Sequence, residues 1–331
     1  MANNYSCLPA WQTACAATLG CETRTEELKT AAGEVLGSLR YAVLKSFLFG
    51  ARVISLPFTD ESAITLNDPA RAQEAGRILL ARLDAAAAAA GASSAELRGA
   101  NPVLDSLGKE LAASAPYSRF ELDLTPGYAA VLAGYGSNIA KNLAQGARRL
   151  EVSLVKHPGS VELRELYLVY LAQMKTFGSP PLPMAYFREL AAAGLYIFFK
   201  ATFDGRTAGM LAAIPDGGVL RADVNASLPA YASSFPKIRL FDESIRWAAD
   251  NGFKVYDFMR TRRGTGVHGH KAKWGGSERG IKYYYRAYRS GARPEPDPSG
   301  PLFRLAAAGL RIMPCSLLEI IGPAIRAGAG K

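Results

Sequence analysis

Cysteine and histidine are scarce in this chain, and the few present are badly spaced for metal chemistry. The four cysteines, Cys7, Cys15, Cys21 and Cys315, include no C-x-x-C pair and have no histidine at ligand spacing. No zinc site is expected from them, and the three near the N-terminus read as small buried apolar residues. Runs of ~20 apolar residues are missing too, so no spanning helix is expected. The start, Met1-Ala2-Asn3-Asn4-Tyr5, has neither the basic residues nor the apolar stretch of a secretory signal, and the expected compartment is cytoplasmic. Gly264-Thr265-Gly266 lacks the following helix and third glycine of a dinucleotide fingerprint. No Cys/His or Ser/His pairing suggests a covalent intermediate.

What is present is ordinary globular material with a basic surplus. Of 331 residues, 49% are hydrophobic and 21% charged, enough for a core and for two domains of usual size. The net charge of +10 favours anionic partners: nucleic acid, phosphorylated carriers or an anionic membrane face. Interleaved aromatics suited to base stacking are missing from the basic segments, which ranks general nucleic-acid binding last.

Periodicity and turn chemistry organise the chain. A short helix is expected over Leu8–Ala17, strands over Val35–Leu44 and Ala51–Pro57, and a long amphipathic helix over Asp68–Ala90, with Ala75, Ile78, Leu79 and Leu83 on one face. A strand near Phe120–Leu124 marks the boundary between halves. A helix over Tyr128–Leu150 follows, basic at its end (Lys141, Arg148, Arg149), then a strand over Glu151–Lys156 and a helix over Ser160–Lys175 capped by Ser160. Three strands over Leu195–Phe203, Thr207–Ile214 and Gly218–Asn225 are joined at Asp204-Gly205 and Asp216-Gly217, two hairpin signals that argue against a doubly wound fold. A helix over Phe235–Asp250 stops at Gly252. The proline-rich Pro294–Pro301 leads to an apolar tail, 302–326, with scattered arginines. That tail either docks on the protein or lies on a membrane surface. The expected domains are 1–120, 121–293, and a linker with tail, 294–331.

The most informative segment is Tyr256 to Gly276. A strand ends in Asp257-Phe258-Met259, passes into the basic, glycine-rich Arg260-Thr261-Arg262-Arg263-Gly264-Thr265-Gly266, and closes on His270-Lys271-Ala272-Lys273-Trp274-Gly275-Gly276. It is expected to be a loop between two strands forming an anion site for phosphate, carboxylate or a developing oxyanion.

These motifs, with Arg52-Val53-Ile54-Ser55-Leu56-Pro57-Phe58, Phe177-Gly178-Ser179-Pro180 and the tail Met313-Pro314 to Pro323, resemble in order and spacing the FemAB-related branch of the GNAT acyltransferase superfamily. That is the group with a BioF2-like acetyltransferase domain, and the similarity extends to members associated with PEP-CTERM and exopolysaccharide systems. It covers roughly Pro9 to Arg326. It implies an α+β (mixed α/β) fold of two tandem GNAT-like domains, each a mixed, largely antiparallel sheet flanked by helices. It also implies transfer of an acyl or aminoacyl group to an amine on a peptidoglycan-, exopolysaccharide- or other envelope-linked acceptor. The donor would be acyl-CoA or aminoacyl-tRNA, with no tightly bound cofactor and no metal. The family usually carries glycine where Met259 stands and phenylalanine where His270 stands.

Direct attack by a neutral amine needs a proton acceptor, an oxyanion stabiliser and an aligned donor. Lys271, at the lysine of the family's Phe-Lys motif, is the candidate for the oxyanion or a phosphate. Asp257 either accepts the amine proton or orients the segment through backbone N–H groups. His270, two residues from His268, is a base or a packing residue. Arg260, Arg262, Arg263, Gly264, Gly266, Lys273 and Trp274 are the donor-binding candidates, with Arg260 and Arg262 on one face of a strand. Phe177 and Gly178 shape an acceptor pocket or merely end a helix. The alternative function is a non-catalytic GNAT-like module that binds an anionic glycan or lipid-phosphate carrier. tRNA and the inner face of a membrane are further candidate partners.

Overall fold

The computed structural model describes residues 5, 8–47, 50–59, 64–289 and 300–330. Cys7 and the proline-rich stretch from Pro294 to Pro298 lie outside the described residues.

The chain begins with α1 (Pro9–Leu19), β1 (Thr23–Lys29), β2 (Val35–Ser46), β3 (Gly50–Ile54) and β4 (Ile64–Leu66). Then come α2 (Ala72–Ala90), β5 (Ser94–Arg98), α3 (Pro102–Ser106) and β6 (Ala112–Asp123). They are followed by α4 (Tyr128–Ala133), α5 (Ser137–Gly146), β7 (Leu150–Val155), α6 (Ser160–Phe177) and α7 (Met184–Ala192). The meander β8 (Ile197–Phe203), β9 (Arg206–Asp216) and β10 (Val219–Ser227) leads to α8 (Pro236–Asp250) and β11 (Val255–Arg262). Last are α9 (Gly266–Lys271), β12 (Ser277–Ala287), α10 (Pro301–Ile312) and α11 (Cys315–Ala329).

Two compact units are present, and neither is a continuous stretch of chain. The first comprises Met1–Tyr5, Tyr117–Arg279 and Leu305–Gly322; the second comprises Ser6–Pro116, Gly280–Arg304 and Pro323–Lys331. In the second unit β1 pairs antiparallel with β2, β2 with β3 and β4, β3 parallel with β5, and β5 antiparallel with β12. One face is covered by α2, whose Ala75, Leu79, Leu83 and Ala87 point into a core with Leu39, Val53, Leu97 and Leu104. The alanine-rich helix works because small residues let its axis approach the sheet closely. The end of α11 is fastened here by two buried guanidinium groups. Arg52 donates to the carbonyls of Gly328 (2.7 Å) and Ala329 (3.2 Å), and Arg98 to that of Gly330 (3.0 Å). Terminal carbonyls of a helix have no intrahelical donor, and cationic side chains fit that end of the dipole.

In the first unit the strand order is β6-β11-β10-β9-β8-β7, antiparallel except for β10 beside β11. The hairpins form as the turn residues predict. Asp204 and Gly205 both have positive φ between paired Phe203 and Arg206. The second turn uses Gly217 and Gly218 rather than Asp216-Gly217, because Asp216 itself pairs with Val219. The core gathers Phe199, Leu211, Leu240, Phe241, Ile245, Tyr256, Phe258 and Trp274 between this sheet and α8.

Three local expectations are corrected. The single helix over Tyr128–Leu150 is two helices, parted at Gly134-Tyr135-Gly136, where the Gly136 N–H donates to the Lys273 carbonyl at 2.8 Å. Ser160 is the first residue of α6 rather than its cap; Gly159 takes the cap position. The segment after Met259 is not an open loop. Its strand runs on to Arg262, and a helical turn, α9, holds His270 and Lys271. Thr265 caps that turn by accepting the His268 N–H at 3.3 Å.

Candidate active site

The parallel pair β10 and β11 touches over only three residue pairs, Val219 with Val255, Leu220 with Tyr256 and Arg221 with Asp257. Beyond them both strands break register with their outer neighbours, β10 between Ala222 and Val224 and β11 between Asp257 and Arg260. Bulges of this kind bend a strand and take backbone groups off the ladder. The strands part, and a cavity of about 410 Å³ opens with β10 on one side, the start of α8 at its floor and α9 opposite. Its walls are mainly apolar (Ala222, Ile238, Phe241, Phe258), with Asp223, Lys237, His270 and Lys271 as the ionisable groups.

A buried ionic chain fixes the point of divergence. Asp257 is fully buried; its Oδ1 accepts the Met259 N–H at 2.7 Å, and its Oδ2 lies 3.3 Å from Arg221 and 3.5 Å from Arg119. Arg221 also pairs with Asp216 at 3.3 Å and lies over the Tyr5 ring. Burial pushes the Asp257 carboxyl upward in pKa, opposed by the two arginines. Two acids thus face two guanidiniums in a dry site, each charge with an opposite one beside it. Met259 sits at φ +58°, a left-handed conformation that costs a non-glycine residue energy and that glycine adopts freely. The Asp257 carboxylate on its N–H holds it there.

Lys271 is buried, and its Nζ donates to the carbonyls of Phe258 (2.6 Å), Met259 (3.2 Å) and Arg260 (3.5 Å). The bulge turns these carbonyls toward α9, so strain at Met259 and placement of the ammonium are parts of one arrangement. Trp274 anchors the far end, fully buried against Tyr135, Phe241 and Phe258. Gly275 follows at φ +82°, where a Cβ would lie 2.6 Å from the Gly134 carbonyl oxygen.

His270 stands edge-on to Trp274, whose indole N–H points at Nε2 from 3.5 Å. Burial, then the charges of Lys237, Lys273 and Lys271, hold its pKa below the usual 6.5, so the ring is neutral at pH 7. Lys237, in the first turn of α8, donates to Gln173 Oε1 at 3.0 Å and lies 5.6 Å from the Phe177 ring. Burial lowers its pKa.

Of the residues singled out in the sequence, Phe177, Gly266, His270 and Lys271 line the cavity. Asp257 and Trp274 lie in the packed layer behind it. Arg260 and Arg262 share one face of β11 around buried Thr261, and Arg260 covers the Tyr117 ring at 5.1 Å, off the cavity wall. Arg263 donates to Ser118 Oγ at 2.7 Å, and His268 meets Glu278 at 2.9 Å. Gly264 supplies a positive-φ turn, Lys273 gives its carbonyl to Gly136, and Gly178 is the left-handed cap of α6. Asp223 is the acidic group that sequence reasoning passed over. It is the residue at the β10 bulge, it lines the cavity, and its carboxylate accepts the hydroxyl of buried Tyr196. A lone acid in the apolar strand Gly218–Asn225 was the available signal.

Among the described residues, no cluster of three or more His, Cys, Asp or Glu could hold a metal ion, and no helix is long and apolar enough to cross a membrane.

A mixed, mostly antiparallel sheet flanked by helices, with one splayed parallel pair beside a helix N-terminus, defines a GNAT-type acyltransferase fold. Residues 137–272 match the acetyltransferase (GNAT) domain family, which takes in α5 through α9 and the whole cavity. Among solved structures the chain is similar to FemX, at 12% identity over 86% of this chain and 92% of that one, with a TM-score of 0.62. It is also similar to the C-terminal domain (DUF2156) of a putative lysylphosphatidylglycerol synthetase from Agrobacterium fabrum, at 14% identity, 90% of both chains and TM-score 0.57. A tandem GNAT protein from the clavulanic acid biosynthesis pathway matches at 15% identity over 83% of this chain and 85% of that one, with a TM-score of 0.51. No curated protein matches by sequence.

Proposed function

We propose that the protein is an N-acyltransferase whose donor enters the splay between β10 and β11 and whose acceptor is an amine. The observation that carries this reading is the cavity itself, with a carboxylate (Asp223) and a carbonyl-held ammonium (Lys271) both on its wall. The amine nitrogen attacks the donor's acyl carbon, the new C–N bond forms, and the C–S bond of a thioester or C–O bond of an aminoacyl ester breaks. Asp223 is placed to take the proton the amine loses, directly or through water. Lys271 and an amide freed by the β10 bulge supply positive charge where the oxyanion grows. Asp257 acts through others: it positions Met259, whose carbonyl helps hold Lys271. Lys237, at the start of α8, suits the donor's phosphate or carboxylate.

An acceptor linked to peptidoglycan, exopolysaccharide or another envelope component, with action at the inner face of the membrane, is the finer reading. The likeness to FemX and to a lysylphosphatidylglycerol synthetase domain supports it. A donor that is acyl-CoA rather than aminoacyl-tRNA fits the mainly apolar walls. The two lysines on the wall, Lys237 and Lys271, also suit a binding module for an anionic glycan or lipid phosphate.

Purified protein incubated with acyl-CoA and aminoacyl-tRNA donors against an amine library, read by mass shift, separates these readings. Donor-dependent acylation that is lost in Asp223→Asn and Lys271→Ala supports the transferase. Tight binding of anionic carriers with no transfer from any donor refutes it.

A further inference from the structure

The segment Leu305–Gly322 sits on the first unit through one narrow seam. Leu310 and Leu318 are buried, and a Cβ at Gly322 would collide with the Pro181 ring. Arg311 donates to the Phe177 carbonyl at 3.3 Å, and Glu319 pairs with Arg164 of α6. These contacts settle which side of each helix faces the protein. The opposite side is aliphatic and bare. Leu305 is 71% exposed, Ile312 84% and Ile320 74%, with Leu317 and Ile321 also exposed beside Ile320 at helical spacing. The surface continues onto α6, where Val161 (74% exposed) and Leu168 flank Arg164 on one face. Single exposed aliphatics are normal, but several of them on adjoining helix faces are not.

The charge around this face names its partner. From Pro301 to Ala329 the exposed basic residues are Arg304 and Arg311, and the one acid, Glu319, is occupied by Arg164. We infer that α10 and α11, with the exposed face of α6, dock on an anionic membrane surface. The aliphatic side chains would enter the boundary between headgroups and acyl chains, and Arg304 and Arg311 would lie on the phosphates with their stems along the apolar surface. Because the seam residues already fix both helices to the protein, no ordering cost is added on docking, unlike a tail that folds on the membrane. This inference rests on the surface alone and is independent of the transfer reaction.

The test is flotation of the full-length protein with phosphatidylcholine vesicles and with vesicles containing phosphatidylglycerol. Two exposed arginines, Arg304 and Arg311, at about 1 kcal/mol each predict binding roughly thirtyfold tighter to the anionic vesicles. The double variant Ile312→Ser with Ile320→Ser changes only exposed side chains, and unchanged circular dichroism checks that it folds. It is expected to lower vesicle binding by at least about tenfold. Absence of binding to anionic vesicles, equal binding to neutral ones, or an unaltered double variant overturns the inference. So does wild-type self-association that the double variant abolishes, since that would assign the face to a second copy of the chain.

Discussion

Arg221 and Asp257 form the last matched pair of two parallel strands, and their side chains meet at 3.3 Å where those strands part. The pair lies in the packed layer behind the cavity, and Arg119 on the next strand also faces the Asp257 carboxylate. Replacing Asp257 by Asn keeps the shape and removes the buried negative charge that faces both Arg119 and Arg221. A loss of about 3–5 kcal/mol in unfolding free energy is expected, measured by urea denaturation. A loss under about 0.5 kcal/mol would mean that the network does not hold the splay.

Lys271 has two consequences that separate in measurement. As an oxyanion stabiliser it predicts a fall in acyl transfer of about 10²–10³ in Lys271→Ala. As the donor to the carbonyls of Phe258, Met259 and Arg260 it also predicts a stability loss of about 1–3 kcal/mol, from carbonyls left without that donor. A variant that loses stability by this amount but keeps full turnover would reduce Lys271 to a structural part.

His270 gives a pH signature. Its pKa lies below 6.5 in the folded protein, so the unfolded chain binds the proton more readily. Its stabilising contribution is therefore complete above about pH 6.5 and is lost as pH falls through the lower folded value. The variant His270→Phe, which cannot be protonated, is expected to gain on the wild type in denaturation midpoint as pH is lowered from about 7 to about 5. Parallel midpoints across that range would show that the ring is not held neutral.

Gly178 tests the seat of α10. It has φ +66°, and a Cβ there would strike the Ala307 carbonyl. Gly178→Ala is expected to destabilise by roughly 1–3 kcal/mol, through conformational strain and the close approach together. It should also speed proteolytic cleavage within 305–322 relative to the wild type. Unchanged cleavage would show that α10 is seated by other contacts.

Local chemistry was legible in the sequence, and non-local pairing was not. Asp204-Gly205 announces a hairpin because two residues with positive φ decide it. The periodicity of Ala75, Leu79 and Leu83 announces α2 for the same reason: nothing distant is needed. The splay depends on β10 lying parallel to β11 across an intervening helix, and on bulges in both strands, neither of which leaves a local mark. Asp223 was overlooked because its importance comes from that bulge. Lys271 was found only through resemblance to a family, since a lysine on a short basic helix is otherwise unremarkable as sequence. The run Arg260-Thr261-Arg262-Arg263 drew attention by charge, yet Tyr117, Ser118 and Glu278 engage two of its arginines away from the cavity.

The guanidinium of Arg98 closes on the carbonyl of Gly330 across 232 residues of chain. That distance sets a folding order. Most of the first unit's core comes from the unbroken stretch Tyr117–Arg279, whereas the second must wait for Gly280–Arg304 and Pro323–Lys331 to return to its opening segments. Closing long loops is slow, so amides of β8–β10 are expected to gain protection in pulse-labelled hydrogen exchange before those of β2, β3 and β5. A chain cut after Gly322 would then retain a foldable first unit and leave Arg52 and Arg98 of the second without the carbonyls they hold.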